Sequence, residues 1–256
     1  MKLTAENYYS TEANEKYMSV SQCKMFQKCP ACALAEISGE YKRETSTALL
    51  IGSYVDAYFE GTLDAFRTQH PEIFRRDGKP KAEYLHAETI IRRIERDKLM
   101  QAYLYGDKQV IMTGKIACVD VKIKVDVLHP ERIVDLKIMK DFARVYTEGV
   151  GWQPWYAAWG YDMQGAVYRE IVRQNTGKTL PFYLVAATKE RVPDIDVLHI
   201  ADSELDAALE RFAAEIPLYH ALKSGVFPVE GCGRCDWCKA QKQLDKPTES
   251  SDLCWE

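Results

Sequence analysis

The stretch that most constrains this chain runs Lys122-Ile-Lys-Val-Asp126-Val-Leu-His-Pro-Glu-Arg-Ile-Val-Asp135-Leu-Lys137. Before Asp126 it alternates strictly, with Val121, Ile123, Val125 and Val127 on one face and Lys122, Lys124 and Asp126 on the other. Period two predicts a half-buried strand. His129-Pro130-Glu131-Arg132 reads as a turn, because Pro presets φ and cannot continue a central strand. A second strand follows from Ile133 to Met139. Val134, Leu136 and Ile138 share one of its faces, Ile133, Asp135 and Lys137 the other. Asp135 and Lys137 therefore point the same way, and in a hairpin Asp126 reaches their side. Two carboxylates ~5 Å apart repel by roughly 3 kcal/mol at an effective dielectric of 20. A divalent cation removes that penalty, and Mg²⁺ suits a site with one or two carboxylates and a phosphate. The lysine supplies a positive charge to the phosphate or positions the attacking water. The plainer alternative is a solvated hairpin with ordinary surface charges.

Three further segments stand in order around this hairpin. Ser19-Val-Ser21-Gln-Cys-Lys-Met-Phe26-Gln-Lys-Cys29-Pro30 opens the helical part of the chain, Gly52-Ser-Tyr-Val-Asp56 lies on a predicted helix, and Gln164-Gly-Ala-Val-Tyr168 lies on another. Taken together with Asp126…Asp135-Leu-Lys137, they resemble the PD-(D/E)XK nuclease superfamily, and within it the RecB-like and RecE-like exonucleases. The resemblance spans about Ser19 to Lys189. It implies a restriction-endonuclease-like α/β (α+β) core, a central mixed sheet flanked by helices. It also implies Mg²⁺ or Mn²⁺ held by Asp126 and Asp135 with help from Asp56, Lys137 acting on the developing charge, and Gln164 and Tyr168 positioning water and DNA. Such enzymes usually carry histidine where this chain has Asp56. Aspartate is a hard oxygen ligand suited to Mg²⁺, and Glu60, one turn further on, could share its role. Alternatively, Asp56 is a surface residue of an amphipathic helix that buries Leu50, Ile51, Val55 and Phe59.

The predicted order is helices over about Ser19–Ile37 (broken near Pro30), Thr47–Glu60 and Ala82–Tyr105, then strands near Gln109–Ile116, Cys118–Leu128 and Arg132–Met139. A long helix from Pro154 to about Asn175 follows, then strands Phe182–Thr188 and Ile195–Ile200, and a helix over Ser203–Lys223. Trp152, Trp155 and Trp159 fall on one stripe and are assigned mainly to packing, with a wedge that splays the DNA end as the alternative. Residues 1–256 read as one domain with an N-terminal helical segment and a cysteine-rich tail from about residue 229.

Eight cysteines are present. Cys29-x-x-Cys32 and Cys232-x-x-Cys235-x-x-Cys238 have metal-ligand spacing, with Cys23 and Cys254 nearby in sequence. The resemblance implies a [4Fe–4S] cluster on Cys29, Cys232, Cys235 and Cys238 that ties the chain ends together. A structural Zn²⁺ site and free thiols remain open alternatives. Cys118 is expected as a buried small hydrophobe on its strand.

The net charge of −4 excludes a generally basic nucleic-acid binder. Basic residues nevertheless recur near the hairpin (Lys115, Lys122, Lys124, Lys137, Lys140, Arg144), and Arg75, Arg76, Lys79 and Lys81 cluster in a turn. No apolar stretch approaches the ~20 residues a membrane span needs, and the start of the chain has no signal-peptide pattern, so a cytoplasmic location is expected. The function expected is a Mg²⁺-dependent exonuclease acting on the ends of linear duplex DNA in phage- or prophage-type recombination. By resemblance its partner is a single-strand annealing protein and its assembly a ring-like homo-oligomer. Two rivals stand beside this reading. The lack of an obvious second DNA-recognition domain argues against a site-specific endonuclease. The intact Asp126, Asp135 and Lys137 argue against a non-catalytic DNA-binding module.

Overall fold

A computed structural model describes residues 1–247, 249 and 250. Seven α-helices come first: α1 (Thr11–Lys16), α2 (Val20–Lys28), α3 (Pro30–Ser38), α4 (Thr47–Glu60), α5 (Leu63–Gln69), α6 (Ala82–Glu95) and α7 (Lys98–Tyr103). Strands β1 (Asp107–Ile116), β2 (Val119–His129) and β3 (Arg132–Met139) follow, then a short hairpin of β4 (Val145–Thr147) and β5 (Gly151–Gln153). The chain continues through α8 (Trp155–Ala158), α9 (Tyr161–Thr176), β6 (Phe182–Thr188), β7 (Ile195–His199), α10 (Asp202–Lys223) and α11 (Asp236–Gln241).

Five strands form one mixed sheet in the order β1-β2-β3-β6-β7, in which only the β3–β6 pair is parallel. The β3-to-β6 connection carries α8 and α9, as a parallel pair requires a long crossover. Helices cover both faces, so β6 is buried on both sides and reads as a continuous apolar run. Phe182, Leu184 and Ala186 enter one core with α2, α3, α9 and α10; Val185 and Ala187 enter a second with α4 and α6.

The hairpin 122–137 folds as the alternation dictates, with one departure. Val121, Ile123 and Val125 enter the first core, but Val127 joins Val134 and Leu136 in the second. The β1–β2 ladder is distorted where the change occurs: the Gln109–Asp126 pair is missing, and Gln109 has a left-handed φ of 53°.

Other departures have equally local causes. The helix expected over 82–105 breaks at Asp97, whose carboxylate caps the amides of Leu99 and Met100. The helix expected from Pro154 breaks at Gly160, held at φ 64°, where a Cβ would lie 2.9 Å from Lys24 Cε. Trp155 is therefore the one core tryptophan of the three; Trp152 is 63% and Trp159 53% exposed. Cys118 is exposed, because it forms with Ala117 the two-residue β1–β2 turn. Both have positive φ, 47° and 64°, as the primed hairpin turns demand. Among the described residues, no helix is long and apolar enough to cross a membrane.

Candidate active site

The β2–β3 ladder is short. It pairs Val127, Leu128 and His129 with Val134, Ile133 and Arg132, and β3 then runs on beside β6 alone. Where the strands part, the Asp126 carboxylate takes over the missing ladder bond: Leu136 N donates to Asp126 Oδ2 at 3.0 Å. Asp126 Oδ1 accepts from Gln109 Nε2 at 3.4 Å. The distortion at Gln109 thus brings a second donor, a side-chain amide, to orient Asp126.

Asp135 is almost fully buried. Its Oδ1 accepts from Gln164 Nε2 at 2.7 Å, and its Oδ2 lies 2.5 Å from Lys137 Nζ. Gln164 reaches it because α9 packs tightly on β6: Gly165 lies so close that a Cβ would sit 2.4 Å from Phe182 Cδ1. Tyr168, one turn on, lines the same cleft as Asp126, Asp135, Lys137 and Gln164. Burial, reinforced by Asp135 and Asp126, holds its phenol protonated far into the alkaline range. Tyr161, at the start of that helix face, lies with its ring centroid 5.3 Å from Lys137 Nζ.

Asp56 comes from α4. It lines a small pocket beside the cleft with Glu60, Lys108, Gln109 and Asp126, so Asp126 belongs to both. Asp56 is not a solvated surface residue, for its Oδ1 is buried and has no hydrogen-bond partner. Burial and then Asp126 push its carboxyl well above the usual range. Gln109 Oε1 is likewise buried and unpartnered. Two orphaned acceptors, one carboxylate and one amide oxygen, beside the Asp126 carboxylate describe a place short of positive charge. Asp56, Asp126 and Asp135 are hard oxygen donors, so the residues present fit a Mg²⁺-type cation.

The remaining charges follow the same logic. Burial raises Asp135 to about 7, opposed by Lys137 and aided by Asp126. Burial alone would lower Lys137, but Asp135 and Asp126 outweigh it and hold the ammonium charged above its ordinary range. Glu60 is also raised, by burial first, against the pull of Lys124. An acid raised on folding keeps a proton that the unfolded chain gives up. Its contribution to stability is complete below its unfolded value near 4 and is lost as pH rises through its folded value. In chelator, thermal stability should therefore decline from pH 5 to 8, and Asp56→Asn should flatten that decline. Parallel pH–stability curves for the two proteins would contradict the buried-acid assignment.

Residues 19–241 match the family described as a PDDEXK-like domain of unknown function (DUF3799). The chain belongs to this PDDEXK-like family. It is also similar to a protein from Eubacterium rectale whose crystal structure is described as that of a "Putative exonuclease". The identity is 45%, the TM-score 0.96, and the match covers 99% of this chain and 98% of the other. No curated protein matches the sequence closely enough to count as a relative.

This PDDEXK-like chain brings together a second group, the four cysteines that the family resemblance implies. The Sγ atoms of Cys29, Cys232, Cys235 and Cys238 all lie within 4.8 Å of one another, with Cys29 and Cys238 3.5 Å apart. Cys29 ends α2 and caps α3, while the other three precede or begin α11, so the group joins the first helices to the tail. Backbone N–H groups of Arg234 and Cys235 pull the Cys232 thiol down to about 6. At Cys238 the Gly233 N–H favours the thiolate, but desolvation and the neighbouring sulfurs outweigh it and give about 11. Cys32 is outside the group and hydrogen-bonds Glu36 at 3.4 Å. Cys23 is buried in the first core, and Cys254 lies outside the described residues. Four like sulfurs clustered in this way can hold a metal ion or cluster.

Among the basic residues, Lys122, Lys124 and Lys137 all line the cleft, Lys122 almost wholly buried. Lys115 pairs with Asp120 at 3.2 Å and Lys140 with Asp141 at 3.5 Å. Gln109 and the N-terminal residues Tyr8 and Tyr9, which also line the cleft or its adjoining pocket, carry no spacing signal that the sequence reading could use.

Proposed function

We propose that this chain is a divalent-cation-dependent deoxyribonuclease that removes nucleotides from the ends of linear DNA. The observation that carries the reading is the convergence of Asp126, Asp135 and Lys137 where β2 and β3 part, beside the buried, unpartnered Asp56 Oδ1. Asp126 and Asp135, with Asp56, would hold Mg²⁺ or Mn²⁺, which when bound supplies positive charge to the phosphate and makes water easier to deprotonate. Lys137 stays protonated and presents its ammonium to the charge that develops on the phosphate. Gln164 fixes Asp135 in orientation, Gln109 fixes Asp126, and the Tyr168 hydroxyl positions the DNA backbone. The order of segments shared with RecE-like enzymes supports a recombination role, an annealing-protein partner and a ring-like oligomer; these rest on that resemblance alone.

For the cysteine group we propose one structural Zn²⁺. Four thiolates on one tetrahedral ion at Zn–S ≈ 2.3 Å stand about 3.8 Å apart, within the spread seen here. A cubane cluster places its four thiolates on four different irons and spreads them further.

The test is hydrolysis of linear duplex DNA, with RNA of the same sequence in parallel. Mg²⁺ or Mn²⁺ should support cleavage of DNA only, and Ca²⁺ or chelator should not. Cleavage undiminished in chelator, or preferring RNA, would overturn the reading. Asp56→Ala should raise the Mg²⁺ concentration for half-maximal activity by about tenfold, and Asp56→His should recover part of it. An unchanged Mg²⁺ titration in Asp56→Ala would remove Asp56 from the cation site.

A further inference from the structure

The opening residues of a chain are ordinarily poorly ordered unless something ties them down. Here the turn Thr4–Ser10 is tied down at the cleft. Tyr8 N donates to Thr4 O at 3.0 Å, Thr4 N to Asn7 Oδ1 at 2.7 Å, and Ser10 caps α1. The main tether is Lys122 on β2, only 2% exposed. Its ammonium donates to Tyr8 O at 2.5 Å and to Asn14 Oδ1 at 2.7 Å, and lies 4.6 Å from the centroid of the Tyr8 ring. Lys223 on α10 adds bonds to the carbonyls of Asn14 and Tyr17 at 2.9 and 2.8 Å. Burial lowers both lysines to about 8. Burying a lysine is costly unless its donors are used, and both of these lysines spend theirs on residues 8–22.

What this tethering holds in place is an aromatic wall. Tyr8 and Tyr9 line the same 340 Å³ cleft as Asp126, Asp135 and Lys137. Tyr8 is buried, and its ring meets that of Tyr9 edge-to-face at 4.9 Å. Tyr9 is 68% exposed. Lys124, two residues before Asp126 and so ~7 Å along the strand, places its ammonium 4.9 Å from the Tyr9 ring centroid. An exposed ring beside a lysine is the pairing with which single strands are gripped, base on the π-face and phosphate on the cation.

We propose that Tyr9 and Lys124 form a nucleotide-binding subsite beside the cleavage site, Tyr9 stacking on an unpaired base and Lys124 meeting the neighbouring phosphate. The substrate entering the cleft is then a single-stranded DNA end, and a duplex end must fray to reach Asp126. This rests on the nuclease reading above and adds a recognition element to it.

The test separates the two claims. The full chain is titrated in Ca²⁺ with a short single-stranded oligodeoxynucleotide carrying phosphorothioate linkages and 2-aminopurine near its end, and binding is read as fluorescence quenching. Wild type should quench. Tyr9→Ala should weaken binding on the order of tenfold, the effect of losing one base–aromatic stack, and should lose the quenching at unchanged melting temperature. Tyr9→Phe should keep both. Lys124→Gln should reduce the salt dependence of binding by about one phosphate contact. Wild type without quenching, Tyr9→Ala binding as wild type, or Tyr9→Phe as impaired as Tyr9→Ala would overturn the subsite. Wild type that quenches in this titration yet leaves DNA intact in Mg²⁺ would instead overturn the nuclease reading.

Discussion

Lys137→Ala should bind linear DNA as wild type does and hydrolyse it on the order of 10³-fold more slowly, the size of effect seen when one aimed positive or hydrogen-bonding group is removed from developing charge. The variant leaves Asp135 buried without its 2.5 Å partner. Its carboxyl should then be still harder to ionise, because burial already raises it and Lys137 opposes that rise. Asp126→Asn and Asp135→Asn should lose turnover to a similar extent while keeping the fold, since the amide oxygen still accepts one of the two bonds that each carboxylate takes. Single-turnover rates at saturating DNA, alongside binding in Ca²⁺, separate turnover from affinity. Wild-type turnover in Asp135→Asn would remove it from the chemistry.

These residues were legible because a β-hairpin has a rigid period. Alternation put Asp135 and Lys137 on one face, Pro130 marked the turn, and the helical spacing of Gln164 and Tyr168 put them on one face of α9. What stayed hidden depends on backbone angles that the residue type does not announce. Gln109 takes a left-handed φ without being glycine, and Ala117 and Cys118 turn the β1–β2 hairpin without Asn or Gly. That placed Cys118 on the strand in the sequence reading, whereas it lies in the exposed turn. Trp159 reads as core only on a helix that runs straight through Gly160, and the helix breaks there. The tethered N-terminal turn could not be read at all. Its anchor is a buried lysine, and in sequence Lys122 is one more charge on the polar side of an alternating strand.

The cysteine group carries the second large effect. Metal binding at such a site is folding free energy, because the unfolded chain has no preformed ligand set. Cys235→Ser should lower the melting temperature by roughly 10 °C if it removes ~3 kcal/mol, at the 2–4 °C per kcal/mol expected for a chain near this size. Its turnover per folded molecule should stay close to wild type. The helix pair α2–α3 that Cys29 joins also supplies Ser19, Ser21, Gln22 and Met25 to the cleft, so DNA affinity should fall more than turnover does. Protein purified without oxygen should contain about one zinc and be colourless. Brown protein with iron and sulfide would replace zinc by a cluster, and metal-free protein as stable as Cys235→Ser would make these ordinary thiols.

Hydrolysis from an end is open to one direct comparison. Linear duplex DNA and the same DNA as a covalently closed circle are incubated with the protein in Mg²⁺, and acid-soluble nucleotides are followed over time. Steady release is expected from the linear form and none from the circle, which stays closed. A nicked or linearised circle, or linear DNA left intact, would contradict it.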